Sequence, residues 1–285
     1  MRFGLALSGG ATRGVAHVGA MKALAENDLF PSWISGTSAG SMVAALYACG
    51  LSVREMESAA LSLKSNIYDT DYSGIATGVL KWVFTKDTEW DGIVKGKNLE
   101  QLMKKLTKGK MMREAKIPLA ITSVDINTGV TVLFVSNKRG LKDTKYTVYL
   151  DNVPIYEAVR ASIAIPVVFR PKMIHGMRLV DGGVTESVPV DVLKQMGARK
   201  VIGIDLGYSG QRRSEVNNIL EIGSQSIDIM SYQMTRLKTK KADCIINPHI
   251  YDVGMTEVHR IPEMIQRGHQ AVAENINTIK KAINS

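Results

Sequence analysis

The sequence predicts one α/β domain over residues 1–285, built on a mainly parallel, doubly wound sheet flanked by helices. Three observations carry that expectation. Short apolar stretches alternate with segments of helical spacing along most of the chain, the pattern of strand–helix–strand units. RFGLALS at 2–8 is apolar without alternation, as a strand covered on both faces must be. A chain of 285 residues, 45% hydrophobic and 22% charged, can bury one substantial core.

The elements follow in order. A glycine-rich loop, SGGATRG at 8–14, leads from the first strand to a helix over about 15–26. Trp33 and Ile34 open a second strand, and Met42, Val43, Leu46 and Cys49 recur at helical spacing until Gly50 ends the run. Ser52 caps a further helix, with Glu55 completing a capping box. Residues 66–98 are the least regular, with scattered aromatics and glycines. They are expected to form a lid over an apolar pocket, although VLKWVF reads equally as a core helix. Strands at 117–126 and 130–136 surround a turn over Asn127–Gly129. IYEAVRASIA reads as a helix stopped by Pro166, and MRLVDGG and KVIGIDLG read as strands. Two long helices, about 214–239 and 262–283, close the chain with the DCIINP strand between them.

Composition narrows the function classes. Net charge is +9, with basic residues gathered at 104–116 and 236–241. Both stretches are either solvated surface or a peripheral contact with anionic lipid headgroups. Nucleic acid is excluded as a partner by the lack of a binding motif and by 6% aromatic content. Cys49 and Cys244 lie in apolar stretches, as reduced thiols of a cytoplasmic protein do, with a disulfide between them left open. The apolar run at the N-terminus is too short for a signal peptide, and no run of some 18 apolar residues offers a membrane span. No metal or cofactor is implied.

GTSAG at 36–40 carries the chemistry. Alone, GxSxG arises by chance in roughly one chain in ten of this length, and Ser38 would then be a plain helix cap. Its place between a strand and a helix makes it a nucleophile elbow, with the Ser38 hydroxyl at the carboxyl edge of the sheet. Bulkier residues at Gly36 or Gly40 would collide with the flanking strand and helix, and the Ala39 N–H sits at a helix N-terminus where an oxyanion would form. SGGATRG is a poor dinucleotide fingerprint, because Ala11 stands where GxGxxG needs glycine. Beside a serine elbow it suits the other half of an oxyanion hole, with amides from Gly10 and Ala11 and with Arg13 fixing the loop.

A nucleophilic serine needs a base. Asp125, Asp181 and Asp205 each close an apolar strand, and Asp181 stands out because Gly182 and Gly183 let the backbone turn closely beside another loop. His17, His175, His249, His259 and His269 are the imidazole candidates, none of them in a motif of its own.

SGGATRGVAHVGAMKAL, GTSAG, ASIAIP and DGG, in this order over about residues 2–190, resemble the patatin-like phospholipase family, particularly its small bacterial members. The resemblance implies a serine hydrolase of lipid acyl esters working through an acyl-enzyme, with Ser38 as nucleophile, Asp181 as base and no histidine. It also implies Gly9, Gly10, Ala11, Arg13 and Gly14 as the oxyanion loop. Ala161, Ser162 and Pro166 match the motif that packs near the site. Two departures bear on substrate fit: Ala11 replaces a common third glycine, and Glu186 and Ser187 stand where an asparagine pair or similar polar residues are frequent. The competing readings are a non-catalytic lipid-binding or regulatory protein on the same fold and a Ser–His–Asp esterase.

Overall fold

Strand β1, Gly4–Leu7, is buried along its whole length, which the unbroken apolar run requires. A computed structural model describes residues 2–63, 92, 94–207, 219–253 and 257–285. β1 lies centrally, parallel to β2 (Trp33–Thr37) on one side and to β8 (Val201–Ile204) on the other. The sheet continues through β3 (Leu119–Asp125), β4 (Thr131–Val135) and β5 (Thr147–Leu150) at one end and β9 (Cys244–Ile246) at the other. β4 is antiparallel to β3, and so is β7 (Met177–Asp181), which forms a hairpin with β6 (Lys172–Ile174). The parallel frame thus carries an antiparallel attachment at β3.

Side chains alternate across this sheet, and both faces are covered. Leu5, Leu7, Ile34, Leu119 and Ile121 face the larger core, with helices α1 (Ala16–Ala25), α2 (Ala39–Cys49), α3 (Val53–Leu61) and α4 (Lys97–Leu106). Helix α5 (Ile155–Ser162) packs into the same core. Ala6 and Val201 face the other way, against Val190 and Leu193 of α6 (Val190–Gln195). Helix α3 starts at Ser52 with the expected capping box, the Ser52 N–H donating to Glu55 at 2.7 Å.

Several expectations are adjusted. Ala11–Val15, within the loop expected after β1, forms a 3-10 helix, closed by the Arg13 N–H donating to the Gly10 carbonyl at 3.1 Å. The helix expected over 262–283 is two helices, α8 (Ile261–Glu274) and α9 (Ile276–Asn284). Asn275 separates them: its side-chain amide donates to the Ala271 carbonyl and its own N–H to that of Val272, so it competes with the regular helical ladder. Helix α7 runs Ile219–Lys238, and residues 214–218 of the expected helix lie outside the described residues. So does most of the expected lid. Its described end is tied down, with Val94 bridged to Phe169 and Gly96 capping α4. Cys49 and Cys244 are separate free thiols. Among the described residues no helix is long and apolar enough to cross a membrane, and no cluster of three or more His, Cys, Asp or Glu could hold a metal.

Candidate active site

β1, β2 and β8 end side by side, and their carboxyl ends carry Ser8, Ser38 and Asp205 onto one edge of the sheet. Ser38 follows β2 with φ 53° and ψ −128°, a backbone conformation that costs a non-glycine residue about 1–3 kcal/mol. Its neighbours hold it there. The Ser38 carbonyl accepts the Ser41 N–H at 2.9 Å and the Ser41 hydroxyl at 2.6 Å, and the Ser38 N–H donates to Ser162 Oγ at 2.8 Å. A Cβ on Gly36 would run into the backbone of Gly40, and one on Gly40 into the carbonyls of Leu7 and Ser8. Only glycine lets strand and helix approach so closely around the elbow.

Asp181 closes β7, and its pairing with Ser123 places it beside the end of β3. Its N–H donates to the Ala164 carbonyl at 2.9 Å, and its Oδ1 accepts the Gly183 N–H at 2.8 Å. Ser38 lines the same pocket as this carboxylate, its hydroxyl near enough to favour the charged form. Burial pushes the Asp181 pKa up to about 7, against the opposing pull of the nearby Ser38 hydroxyl and of the Gly183 N–H, and the Asp228 charge adds to the rise. A carboxyl group in this range can take up or release a proton near neutral pH.

Gly9, Gly10, Ala11 and Arg13 line one pocket of about 70 Å³ with Ser38, Asp181 and Pro166. The N–H groups of Gly10, Ala11 and Ala39 enter no hydrogen bond among the described residues. Arg13 is buried, its Nε donating to the Gly10 carbonyl at 3.3 Å and its Nη2 lying 3.9 Å from Asp228 of α7. Gly14 is set apart from that pocket: it packs against Ala39, and both line a second, almost wholly apolar cavity of about 300 Å³. Met42, Val43 and Leu46 of α2, Met103 of α4, Ile163 and Phe169 wall this cavity. Ser38, Ala11 and Ile165 border both spaces, so Ser38 stands where a polar pocket meets an apolar one.

The other sequence candidates separate cleanly. Asp125 is a turn residue, accepting from the Asn127 N–H, the Thr128 hydroxyl and the Arg178 N–H. Asp205 lines the polar pocket and accepts the Gly207 N–H at 2.9 Å, with burial pushing its pKa up. None of the five histidines lines the polar pocket beside Ser38. His17 is fully buried, its pKa lowered by burial to about 4, and its Nε2–H donates to the Ser8 carbonyl at 2.9 Å, so a neutral imidazole braces the first loop from behind. His269 pairs with Glu26 at 2.6 Å. Ser187 lines the polar pocket, while Glu186 is buried beside it with its pKa raised by burial to about 7. Gly182 packs on Thr122, and the Gly183 carbonyl accepts from Ser231 at 2.6 Å.

Sequence reasoning missed the wall contributed by α7, where Asp228, Ser231, Tyr232 and Thr235 face the pocket. A signal was present: these residues form a polar stripe at i, i+3, i+4 and i+7 along the helix.

The profile of the patatin-like phospholipase family matches residues 5–194, and the chain belongs to this family. It is 26% identical over 266 residues to the uncharacterized protein YqhO of Bacillus subtilis (strain 168), covering 88% of this chain and 89% of that one. An uncharacterized NTE family protein of Mycobacterium tuberculosis, Rv1063c, is 30% identical over 209 residues, 73% of this chain and 50% of its own length. The chain thus spans nearly all of the Bacillus relative and half of the mycobacterial one. Among solved structures, VipD from Legionella pneumophila shares the fold, with a TM-score of 0.54 at 14% identity over 97% of this chain and 67% of that one.

Proposed function

We propose that the protein is a serine acyl hydrolase of lipid acyl esters, working through a Ser38–Asp181 dyad. The observation that carries this reading is Ser38, held in a strained elbow and sharing one pocket with the buried Asp181 carboxyl, whose pKa is about 7. Asp181 takes the hydroxyl proton as Ser38 Oγ bonds to the ester carbonyl carbon, and the carbonyl π electrons move onto oxygen. The free N–H groups of Gly10, Ala11 and Ala39 are the donors for that oxyanion, aided by the helix N-terminus at Ala39. Collapse breaks the ester C–O bond, and the Asp181 proton leaves with the alcohol. Water then adds to the acyl-enzyme with Asp181 again as base, releasing the fatty acid and restoring the serine.

The two spaces around Ser38 divide the substrate. The apolar cavity accepts the acyl chain, and the polar pocket with Arg13, Asp228 and Tyr232 accepts the alcohol side. Family membership supports a lipid substrate. Free thiols at Cys49 and Cys244 suit a reducing cytoplasmic compartment, and substrate reached at a membrane surface calls for peripheral contact. A fluorophosphonate probe tests the nucleophile: it is expected to label the wild type and not Ser38→Ala, with both proteins melting alike. Labelling that persists at another serine would overturn the assignment. A panel of acyl esters and phospholipids run on the same pair then fixes the substrate.

A further inference from the structure

Helix α7 is amphipathic in the inverse sense. Asp228, Ser231 and Thr235 turn inward to the polar pocket, whereas Ile222, Ile229, Met230, Met234 and Leu237 are between 37% and 64% exposed. Their spacing puts them along one outward stripe, about 22 Å from end to end at 1.5 Å per residue. A globular helix normally buries such a stripe, and an exposed one with a polar surround marks a contact surface.

Two further observations identify the contact. The stripe ends in cations: Arg236 and Lys240 are exposed there, while neighbouring Lys241 is held by Asp191 at 2.6 Å. The rim of the pocket is also apolar and exposed, through Val184 on its wall and Val167 next to Pro166, at 38% and 53%. An exposed apolar stripe with a basic end, on a protein of net charge +9, complements an anionic bilayer. A second copy of the chain would bring like charges together.

We propose that the outward face of α7 docks this protein on anionic lipid surfaces, seating the mouth of the Ser38 pocket against the bilayer. The stripe enters the headgroup–acyl boundary while Arg236 and Lys240 meet lipid phosphates. Docking is independent of whether Ser38 is acylated, and its use in delivering substrate rests on the hydrolase reading above.

The test is sedimentation of the full chain carrying Ser38→Ala with vesicles of phosphatidylcholine, with and without phosphatidylglycerol. Binding is expected to be stronger to the anionic vesicles and to fall with salt. Replacing Met230 and Leu237 together by glutamine is expected to weaken it about tenfold or more. Arg236→Gln and Lys240→Gln are expected to weaken it about fivefold each on anionic vesicles only. Phe30→Gln is the control, since Phe30 is 55% exposed but precedes β2 at the opposite edge of the sheet, and it should leave binding unchanged. Circular dichroism and melting verify that each variant folds. Equal binding by the parent and the Met230/Leu237 double variant overturns the proposal. So does a lipid-free dimer, seen by light scattering, that the double variant splits, because the stripe would then be a self-interface. Loss of fluorophosphonate labelling at Ser38 in the otherwise native chain would instead sink the hydrolase reading and leave docking standing.

Discussion

Asp181→Asn is expected to make the protein more stable and less active, with a defined dependence on pH. The carboxyl ionises near 3.8 in the unfolded chain and at about 7 in the folded protein, where burial disfavours its charge. Between those values unfolding releases a proton, so the wild-type fold weakens as pH rises from about 4 and reaches its full deficit above about 7. That gap corresponds to about 4 kcal/mol. Asparagine stays neutral throughout and keeps an acceptor for the Gly183 N–H, so it recovers about 2–4 kcal/mol at pH 8, raising Tm by roughly 4–8 °C. Below pH 4 the two proteins are expected to melt together. Thermal unfolding of both from pH 4 to 9 measures the difference, and subtraction isolates Asp181 from Glu186, which titrates in the same range. Ester turnover and fluorophosphonate labelling of the wild type are expected to rise with pH through about 7, and the variant to lose about 10²-fold or more at neutral pH. A variant that is less stable at pH 8, or a stability difference flat from pH 4 to 9, would refute the buried, elevated carboxyl and the base role built on it.

Ser162→Ala removes the acceptor of the Ser38 N–H and is expected to cost about 1–3 kcal/mol in urea unfolding, with labelling slowed because the elbow relaxes. Gly40→Ala places a methyl group against the carbonyls of Leu7 and Ser8 and is expected to cost about 2–3 kcal/mol by the same measurement. Glutamine at each of the five histidines in turn is expected to leave labelling within about tenfold, the scale of ordinary packing damage. One histidine variant that stays folded yet is as silent as Ser38→Ala would make that imidazole the base.

What the sequence disclosed depended on how local each signal was. GTSAG announces its elbow because strand, turn and helix lie within a few residues, and the steric need for Gly36 and Gly40 is set inside that same segment. Asp125, Asp181 and Asp205 look alike in sequence, since all three end apolar strands. What separates them is distant: Asp125 turns to its own β3–β4 turn and to Arg178, whereas Asp181 meets Ser38 only after β7 pairs with β3. The β6 strand escaped notice because its three residues include the exposed Met173 and the half-buried Lys172, leaving no apolar pattern to read. Asn275 interrupts a periodicity that otherwise runs on, and only its side-chain hydrogen bond reveals the break. In α7, Ile222, Ile229 and Met230 are exposed, whereas Asp228, Ser231 and Thr235 line the pocket beside Ser38, a division set by that distant pocket and not by the local pattern.

The hydrogen bond between the Ser38 N–H and Ser162 spans 124 residues of sequence, and Asp181 arrives still later on the antiparallel hairpin. Neither contact exists in a chain whose sheet has formed only through β3. Closing such separations carries the loop entropy that makes non-local pairing a late event in folding. Reactivity is thus assembled last: helices can form as each segment becomes available, but the strained serine and its carboxyl meet only when the C-terminal half has docked. On the proposed dyad, a nascent or partly folded chain is chemically silent toward the esters around it, and the completed fold acts as its own activation step.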